Sequence, residues 1–450
     1  MTADAAPGRS GGPGRAGRAE IVSLALPALG VLAAEPLYVL VDTAVVGHLG
    51  ALPLGALGVG GVLLSQVAAQ GNFLAYGTTG RAARLFGAGR RADAVAEGVA
   101  ASWLAVTLGL VVAALGELLA NPAAHLVAGS GAVARAAERW LRVAVLGAPF
   151  ILLTVAGNGW MRGVRDTRRP LRYVVGANLL SAALCPLLVY PAGLGLTGSA
   201  VANVVAQVTG AALFTRALLT ELAAEGVPVR PRAATVRAQL VVARDLVART
   251  LGMQACFLVA AGVAARMGTA QIAAHQIALQ LWTFLALVLD SFAIAAQALV
   301  GTALGAGDQA GARATAGAVA RLGGLAGAVF GLALLAGWSA LPAVFTPDAS
   351  VVAQAHLAWP WFAGMQPVAG VVFALDGVLL GAGDVRYLRT LTVAAGLLGF
   401  LPATLLAYAL HLGLGGVWAG LTLFVLIRLV GMLRRTRDPR WALPGAPASG

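Results

Sequence analysis

Long apolar runs alternate with short, arginine-bearing polar stretches along almost the whole chain. Twelve runs stand out, near residues 20–47, 54–80, 94–116, 133–161, 173–190, 196–220, 240–265, 272–302, 313–337, 352–380, 388–410 and 414–433. Each is long enough to cross a hydrocarbon core of about 30 Å at about 1.5 Å of rise per helical residue. In lipid such a run satisfies its backbone N–H and C=O groups by coiling into a helix. The connecting stretches are too short for a sizeable soluble domain. The pattern therefore predicts an all-α integral membrane protein with twelve transmembrane helices.

Sliding the chain on itself by 218 residues aligns its turn landmarks without a gap from Gly50 to Gly198. Gly50 falls on Gly268, Gly87 and Gly89 on Gly305 and Gly307, and Pro149 on Pro367. Gly163 and Asp166 fall on Gly381 and Asp384, and Tyr190 on Tyr408. Glycine is abundant, so the Pro, Tyr and Asp coincidences carry the weight. Two six-helix lobes that enter the membrane in the same direction follow, a parallel repeat about an axis along the membrane normal. Substrate cavities of such proteins lie between the lobes, and rocking one lobe on the other gives alternating access. The expected division is an arm over 1–19, a first lobe over 20–222, a linker over 223–239, a second lobe over 240–434 and a tail over 435–450. The arm is read as disordered and cytosolic, because it is Gly, Pro, Ala and Arg without an apolar core.

Composition agrees. Of 450 residues 59% are hydrophobic and 11% charged, too little charge to cover a soluble surface. The net charge is +13 and every basic residue is arginine. The arginines cluster after even-numbered spans: Arg81, Arg84, Arg90 and Arg91; Arg162, Arg165, Arg168, Arg169 and Arg172; Arg230, Arg232, Arg237 and Arg244; Arg434, Arg435, Arg437 and Arg440. Membrane topology explains this better than nucleic-acid binding, and it places both termini in the cytosol. An arginine-only, Ala- and Gly-rich chain points to a bacterial genome, hence to a multi-pass protein of the inner membrane. Cys185 and Cys256 lie in apolar segments and imply neither a disulfide framework nor a metal site.

An ionised side chain within a span costs roughly 2.5–3.5 kcal/mol on insertion scales and needs a reason. Glu35 and Asp42 share the first span, seven residues or nearly two turns apart, so they face one way, with Tyr38 one turn before Asp42. Pro36 removes a backbone bond beside them and is expected to bend the helix, with Pro27 as a second bend. A carboxylate so placed can take up and release a proton as water gains and loses access; the alternative is a carboxylate tied to neighbouring helices. Asp290 and Asp376 lie in the eighth and tenth spans, either lining a cavity or bracing helices. Gln70, Asn72, Asn158 and Asn203 are neutral polar candidates, commonly interhelical hydrogen bonders. Asn158 is set apart because its repeat mate is Asp376.

The Gly-rich turns at 87–89 and 305–307 lack the GK[ST] ending of a phosphate loop, and no HExxH, Cys/His cluster or Gly-x-Ser-x-Gly elbow occurs. No enzyme activity, cofactor or metal is expected, and without an ATP site the energy must come from an ion gradient.

The first-span run EPLYVLVDTAVVGHLG resembles the opening signature of multidrug and toxic compound extrusion (MATE) transporters, in particular their DinF-like branch. AAHQIALQLWTFLALVLDSFAIAAQALVG and DGVLLGAGD resemble that branch's second-half signatures, so the likeness spans nearly the whole chain. It implies a V-shaped, two-lobed exporter that exchanges organic cations or other amphipathic drugs or metabolites for protons or sodium ions. By the same resemblance Asp42 matches the first-helix carboxylate, Pro27 the proline at which that helix bends, Asn158 a polar residue near the ion site, and Asp376 the tenth-helix acid. The chain departs from the family where many members carry ANLLNIVLDPL: it reads ANLLSAALCPL, so Cys185 replaces an acid and Ser181 an Asn. Asn203 stands for a Thr, and Gln297 for a frequent Glu. Sodium favours several oxygen ligands, so proton coupling is expected.

The expected ion-coupling group is thus Asp42, Glu35, Tyr38 and Asn158, and the expected cavity group Asp290, Asp376, Gln70, Asn72 and Asn203. The expected partners are a small cationic or amphipathic substrate, protons (sodium second) and lipid; no nucleic acid is expected, and the chain is expected to act as a monomer. A lipid-linked precursor flippase is the competing reading. It asks for a strongly cationic cavity, whereas the in-span charges read as mainly acidic.

Overall fold

The computed structural model describes residues 17–445. The first half is α1 (Arg18–Gly47), α2 (Ala51–Gly87), α3 (Arg91–Ala128), α4 (Ala132–Val145), α5 (Ala148–Gly163), α6 (Arg168–Val189) and α7 (Leu196–Glu225). The second is α8 (Ala233–Met267), α9 (Thr269–Gly305), α10 (Gln309–Ala336), the short α11 (Ala340–Phe345), α12 (Ala349–Gly364), α13 (Gln366–Gly381), α14 (Val385–Ala394), α15 (Leu401–Ala409) and α16 (Gly413–Arg437). A wide helical turn over Ala395–Phe400 joins α14 to α15. The helices run into the stretch read as a linker, leaving only 226–232 between α7 and α8. Of the expected arm, 1–16 lie outside the described residues and α1 already starts at Arg18; of the expected tail, 446–450 lie outside.

Among the described residues, ten helical segments are long and apolar enough to cross a membrane, and two bent pairs bring the number to twelve when each counts as one span. The pairs α4–α5 and α12–α13 bend by 50° and 48°. The sequence reading drew each as one continuous span. Pro149 and Pro367 explain the difference: each sits at the second position of the later helix, removes an amide donor and crowds the carbonyl one turn back. Large apolar side chains face outward, Leu398 and Leu118 being 79% and 75% exposed, as a lipid-facing surface requires.

The 218-residue offset reappears in the backbone. Both ends of α2 and of α5 fall on the ends of α9 and α13. The two non-glycine residues with left-handed backbone among those described, Arg165 (φ 64) and His411 (φ 55), each correspond to a glycine in the other half, Gly383 (φ 79) and Gly193 (φ 67). The turn geometry is shared even where the residue type is not.

Small residues bring the halves together at the end that carries both termini. A Cβ on Gly87 would run into the Thr302 carbonyl, and one on Gly305 into the Arg84 carbonyl. Since 84 pairs with 302 and 87 with 305 under the repeat, these two contacts are symmetry mates about a pseudo-two-fold axis between α2 and α9. Absence of side chains lets the backbones touch, the usual route to close helix packing in lipid. Ile21, Leu24 and Ala25 at the start of α1 join the core of the second half. Buried Glu97 of α3 accepts from Arg81 (2.6 Å) and from Gln239 of α8 (2.7 Å), a further tie between halves.

The chain's end adds a strap. Gly445 donates to the Leu304 carbonyl at 2.9 Å, Trp441 is buried, and the Arg84 guanidinium donates to the carbonyls of Ala382 (2.8 Å), Leu443 (2.7 Å) and Gly445 (2.7 Å). Farther toward the opposite end the halves part. Glu35 is exposed although protein surrounds it on nearly every side, which marks the wall of an internal cleft.

Candidate functional site

α1 runs unbroken through Pro27 and Pro36, with the carbonyls of Ser23 and Leu32 left without their usual helical donor. Its buried positions Val31, Ala34, Tyr38, Asp42 and Val46 recur every three or four residues and form one stripe; α1 packs mainly on α6 and α9, and from this stripe Asp42 reaches α6 and α7. Asp42 lies on that stripe, 5% exposed. Its two oxygens are held from different helices: Cys185 Sγ of α6 donates to Oδ1 at 3.1 Å, and Ser199 Oγ of α7 donates to Oδ2 at 3.0 Å. Trp140 Nε1 of α4 donates in turn to Ser199 Oγ at 3.3 Å. The carboxylate is buried, yet faces two donors that carry no charge.

Around this acid are buried polar atoms without partners. Tyr38 Oη, Ser181 Oγ and Asn203 Oδ1 make no hydrogen bond among the described residues; Asn158 Oδ1 of α5 is likewise buried without a partner, but nothing ties it to Asp42. Ser181 and Asn203 are the polar side chains nearest the Tyr38 hydroxyl, though neither reaches bonding geometry. Orphaned groups cost free energy unless something else serves them, and a site of this polarity has the partners a water needs. Glu35 is not part of this cage. It shares the angular sector of Asp42, as its spacing predicts, but the cleft opens at its level and it makes no hydrogen bond to Asp42.

A second polar cluster lies between the halves, just above their closure. Tyr76 Oη of α2 donates to Asp290 Oδ2 of α9 at 2.7 Å, and Gln297 Nε2 donates to the Tyr76 carbonyl at 2.6 Å. Gln70 donates to Gln254 Oε1 of α8 at 3.0 Å. Asn72 is exposed, one turn along α2 from Tyr76, and makes no hydrogen bond within the described residues. Asp376 does not open into the cleft as a free acid: Arg249 of α8 (2.7 Å) and Arg428 of α16 (2.5 Å) both bind its Oδ2, and it braces three helices. Arg162 of α5 is 5% exposed, with Tyr76 and Asp290 as the titratable groups that act on it.

Asp42 and Tyr38 thus meet with Ser181 and Asn203 in one cage; Asp290, Gln70 and Asn72 stand along the cleft; Asp376 is a brace. Buried Arg162 and Arg428, with partly buried Arg249, correct the reading that in-span charge is mainly acidic. Arg162 reads as a loop residue because it follows an apolar run, but α5 continues to Gly163. Arg249 and Arg428 lie inside the apolar runs, and their position there was the available signal. The described residues hold no group of three or more His, Cys, Asp or Glu side chains placed to bind a metal.

The model of the MatE family matches residues 27–187 and again 246–405, one match in each half. Protein DETOXIFICATION 44, chloroplastic, of Arabidopsis thaliana is 34% identical, over 94% of this chain and 83% of its own length. DNA damage-inducible protein F of Escherichia coli K12 is 32% identical, over 93% of this chain and 92% of its own. A crystal structure of MATE in the bent conformation superposes with a TM-score of 0.86 at 20% identity, covering 94% of this chain and 95% of that one.

Proposed function

The chain belongs to the MatE family of multidrug and toxic compound extrusion transporters, and from that premise we propose that it is a proton-coupled antiporter exporting amphipathic organic solutes. The single observation that carries the coupling is Asp42, a carboxylate buried between a thiol and a hydroxyl with no cation beside it. A proton there neutralises the acid without the ligand shell that a metal ion needs. Sodium asks for several oxygen ligands, whereas one of the two groups on Asp42 is the sulfur of Cys185.

In this reading the lobes alternate about the α2–α9 contact. With the halves closed at the termini end, the cleft opens on the other side, and the arginine distribution makes the closed end cytosolic. Protonation of Asp42 from the outside alters what Ser199 and Cys185 can donate to. That repacks α1 against α6 and α7 and biases the lobes toward the opposite state. Gln70, Asn72 and Asp290 border the solute path, and Tyr38, Ser181 and Asn203 solvate the proton site. We place the protein in a bacterial inner membrane, acting as a monomer with both termini cytosolic.

The flippase reading gains one observation, the in-span arginines Arg162, Arg249 and Arg428, but two of the three are bound to Asp376. The deciding experiment is reconstitution in proteoliposomes under an imposed proton gradient, with one anionic and one cationic fluorescent dye. Proton-driven dye movement that Asp42→Asn abolishes is expected; coupled movement unchanged in that variant would remove Asp42 from the mechanism. Replacing the proton gradient with a sodium gradient decides the ion.

A further inference from the structure

The floor of the cleft holds more positive than negative charge. Arg162 enters from the first half, and Arg249, Arg428, Asp290 and Asp376 from the second. Arg249 and Arg428 share Asp376, and Asp290 is bound by the Tyr76 hydroxyl. Three guanidiniums against two carboxylates leave one positive charge. The other charged groups facing this region do not offset it. Glu97 is taken up by Arg81, Arg84 is held by backbone carbonyls nearer the termini end, and Glu35 acts on none of the three arginines.

Arg162 is the group that calls for a ligand. It is 5% exposed, and it makes neither a hydrogen bond nor an ion pair within 4 Å among the described residues. The Nε atoms of Arg249 and Arg428 are also buried without an acceptor. Asp290 is the nearby counter-charge of Arg162, but the two do not pair directly, and a guanidinium so buried with no direct acceptor marks a solute or ion path within a membrane-spanning bundle. Guanidinium presents a planar fork of donors that fits two oxygens of one carboxylate or phosphate.

We propose that the floor of the cleft binds the oxyanion head of an organic anion, with Arg162 as its principal contact, so that the exported solutes include amphipathic anions. This rests on the transporter reading above and names its substrate class. It also suits the energetics: an anion moving out and a proton moving in both run down an inside-negative potential.

The test uses the full-length protein in detergent and fluorescence anisotropy with carboxyfluorescein, a polycarboxylate dye, and rhodamine 6G, a cationic dye of similar ring system. Carboxyfluorescein is expected to bind the more tightly. Arg162→Gln should weaken it about tenfold or more, the loss of one charge-assisted hydrogen bond, while moving rhodamine 6G less than about twofold. Arg162→Lys, which keeps the charge and loses the fork, should fall between. Benzoate or phenyl phosphate should compete, and the stronger of the two names the head group. Tighter binding of rhodamine 6G, failure of both competitors, or anion binding untouched in Arg162→Gln overturns the proposal. The wild-type preference decides the matter even if the variant does not fold. Anion binding without proton-driven transport of either dye would sink the antiport reading and support this one; proton-driven export of the cation alone would do the reverse.

Discussion

The Cys185 thiol donates to the Asp42 carboxylate at 3.1 Å, so the residue at the position where the family resemblance leads one to expect an acid touches the proposed coupling acid. A second carboxylate at position 185 would put two acids on one site with Ser181, Ser199 and Asn203 close by. Two carboxylates at such a distance cannot both remain ionised without a shared proton or a bound cation. Cys185→Asp is therefore expected to make transport respond to sodium. Cys185→Ser keeps a donor toward Oδ1 and should transport within about threefold of the parent, independent of sodium. Dye efflux from proteoliposomes at matched pH, with and without a sodium gradient, reads both. A Cys185→Asp protein indifferent to sodium would refute the geometry argued here.

The Gly87–Thr302 and Gly305–Arg84 contacts leave no space for a side chain, and the obstructing atoms are backbone carbonyls that cannot swing away. Gly87→Leu and Gly305→Leu are each expected to hold the halves apart at the termini end and to lower transport at least about tenfold, since overpacking costs roughly 1–3 kcal/mol. Gly58→Leu is the control, because nothing lies within 4 Å of a Cβ there. Equal loss in all three would mean that the glycines matter for helix stability and not for closure.

Sequence made some of this legible and hid the rest for physical reasons. Asp42 stands out because one acid in an apolar run is costly, and the repeat stands out because prolines and turn glycines resist drift. Ser199 gave no signal: in LTGSA it is an ordinary small residue at a helix start, and its role comes from α7 crossing α1. Arg162 was obscured by a sound rule, since arginines next to a span usually belong to the loop, and only the extra turn of α5 buries it. Glu97 gave no signal in the sequence analysis; α3 begins at Arg91 and carries it into the protein, where it is buried. Pro149 and Pro367 were recognised as repeat mates, but periodicity cannot tell a bent pair from a straight span.

Asp376 is bound by two guanidiniums, so its loss and the loss of one partner are not equivalent. Asp376→Asn leaves Arg249 and Arg428 facing each other in a dry site, and breaking a buried pair in this way costs roughly 3–5 kcal/mol. Arg428→Met leaves the Arg249–Asp376 pair neutral and fills the space with an apolar side chain. The expected order of thermal stability in detergent is parent, then Arg428→Met, then Asp376→Asn well below. If Asp376→Asn unfolds at the parent's temperature yet loses transport, Asp376 serves the solute path and not the brace.

Arg84 ties both halves and the end of the chain together at the closed face. Its side chain belongs to α2, yet its acceptors are Ala382 beyond α13 and Leu443 and Gly445 beyond α16. None of those carbonyls is replaced when the halves separate, so opening the termini end must break all these bonds at once. Each is a hydrogen bond from a charged donor, worth roughly 1.5–3 kcal/mol when dry and less where water competes. Even about 1.4 kcal/mol in total would change the ratio of the two lobe arrangements tenfold. Arg84→Ala, and separately a chain ending at Arg437, should therefore both shift the population toward the state open at the termini end. Spin-label distances between α2 and α9 near residues 87 and 305 would report this as a longer-distance component that grows in both variants. The two changes remove opposite partners of one contact, so combining them should add little. Additive shifts would mean that Arg84 and the terminal strap act independently, and unchanged distances in Arg84→Ala would show that the glycine contact alone keeps the face closed.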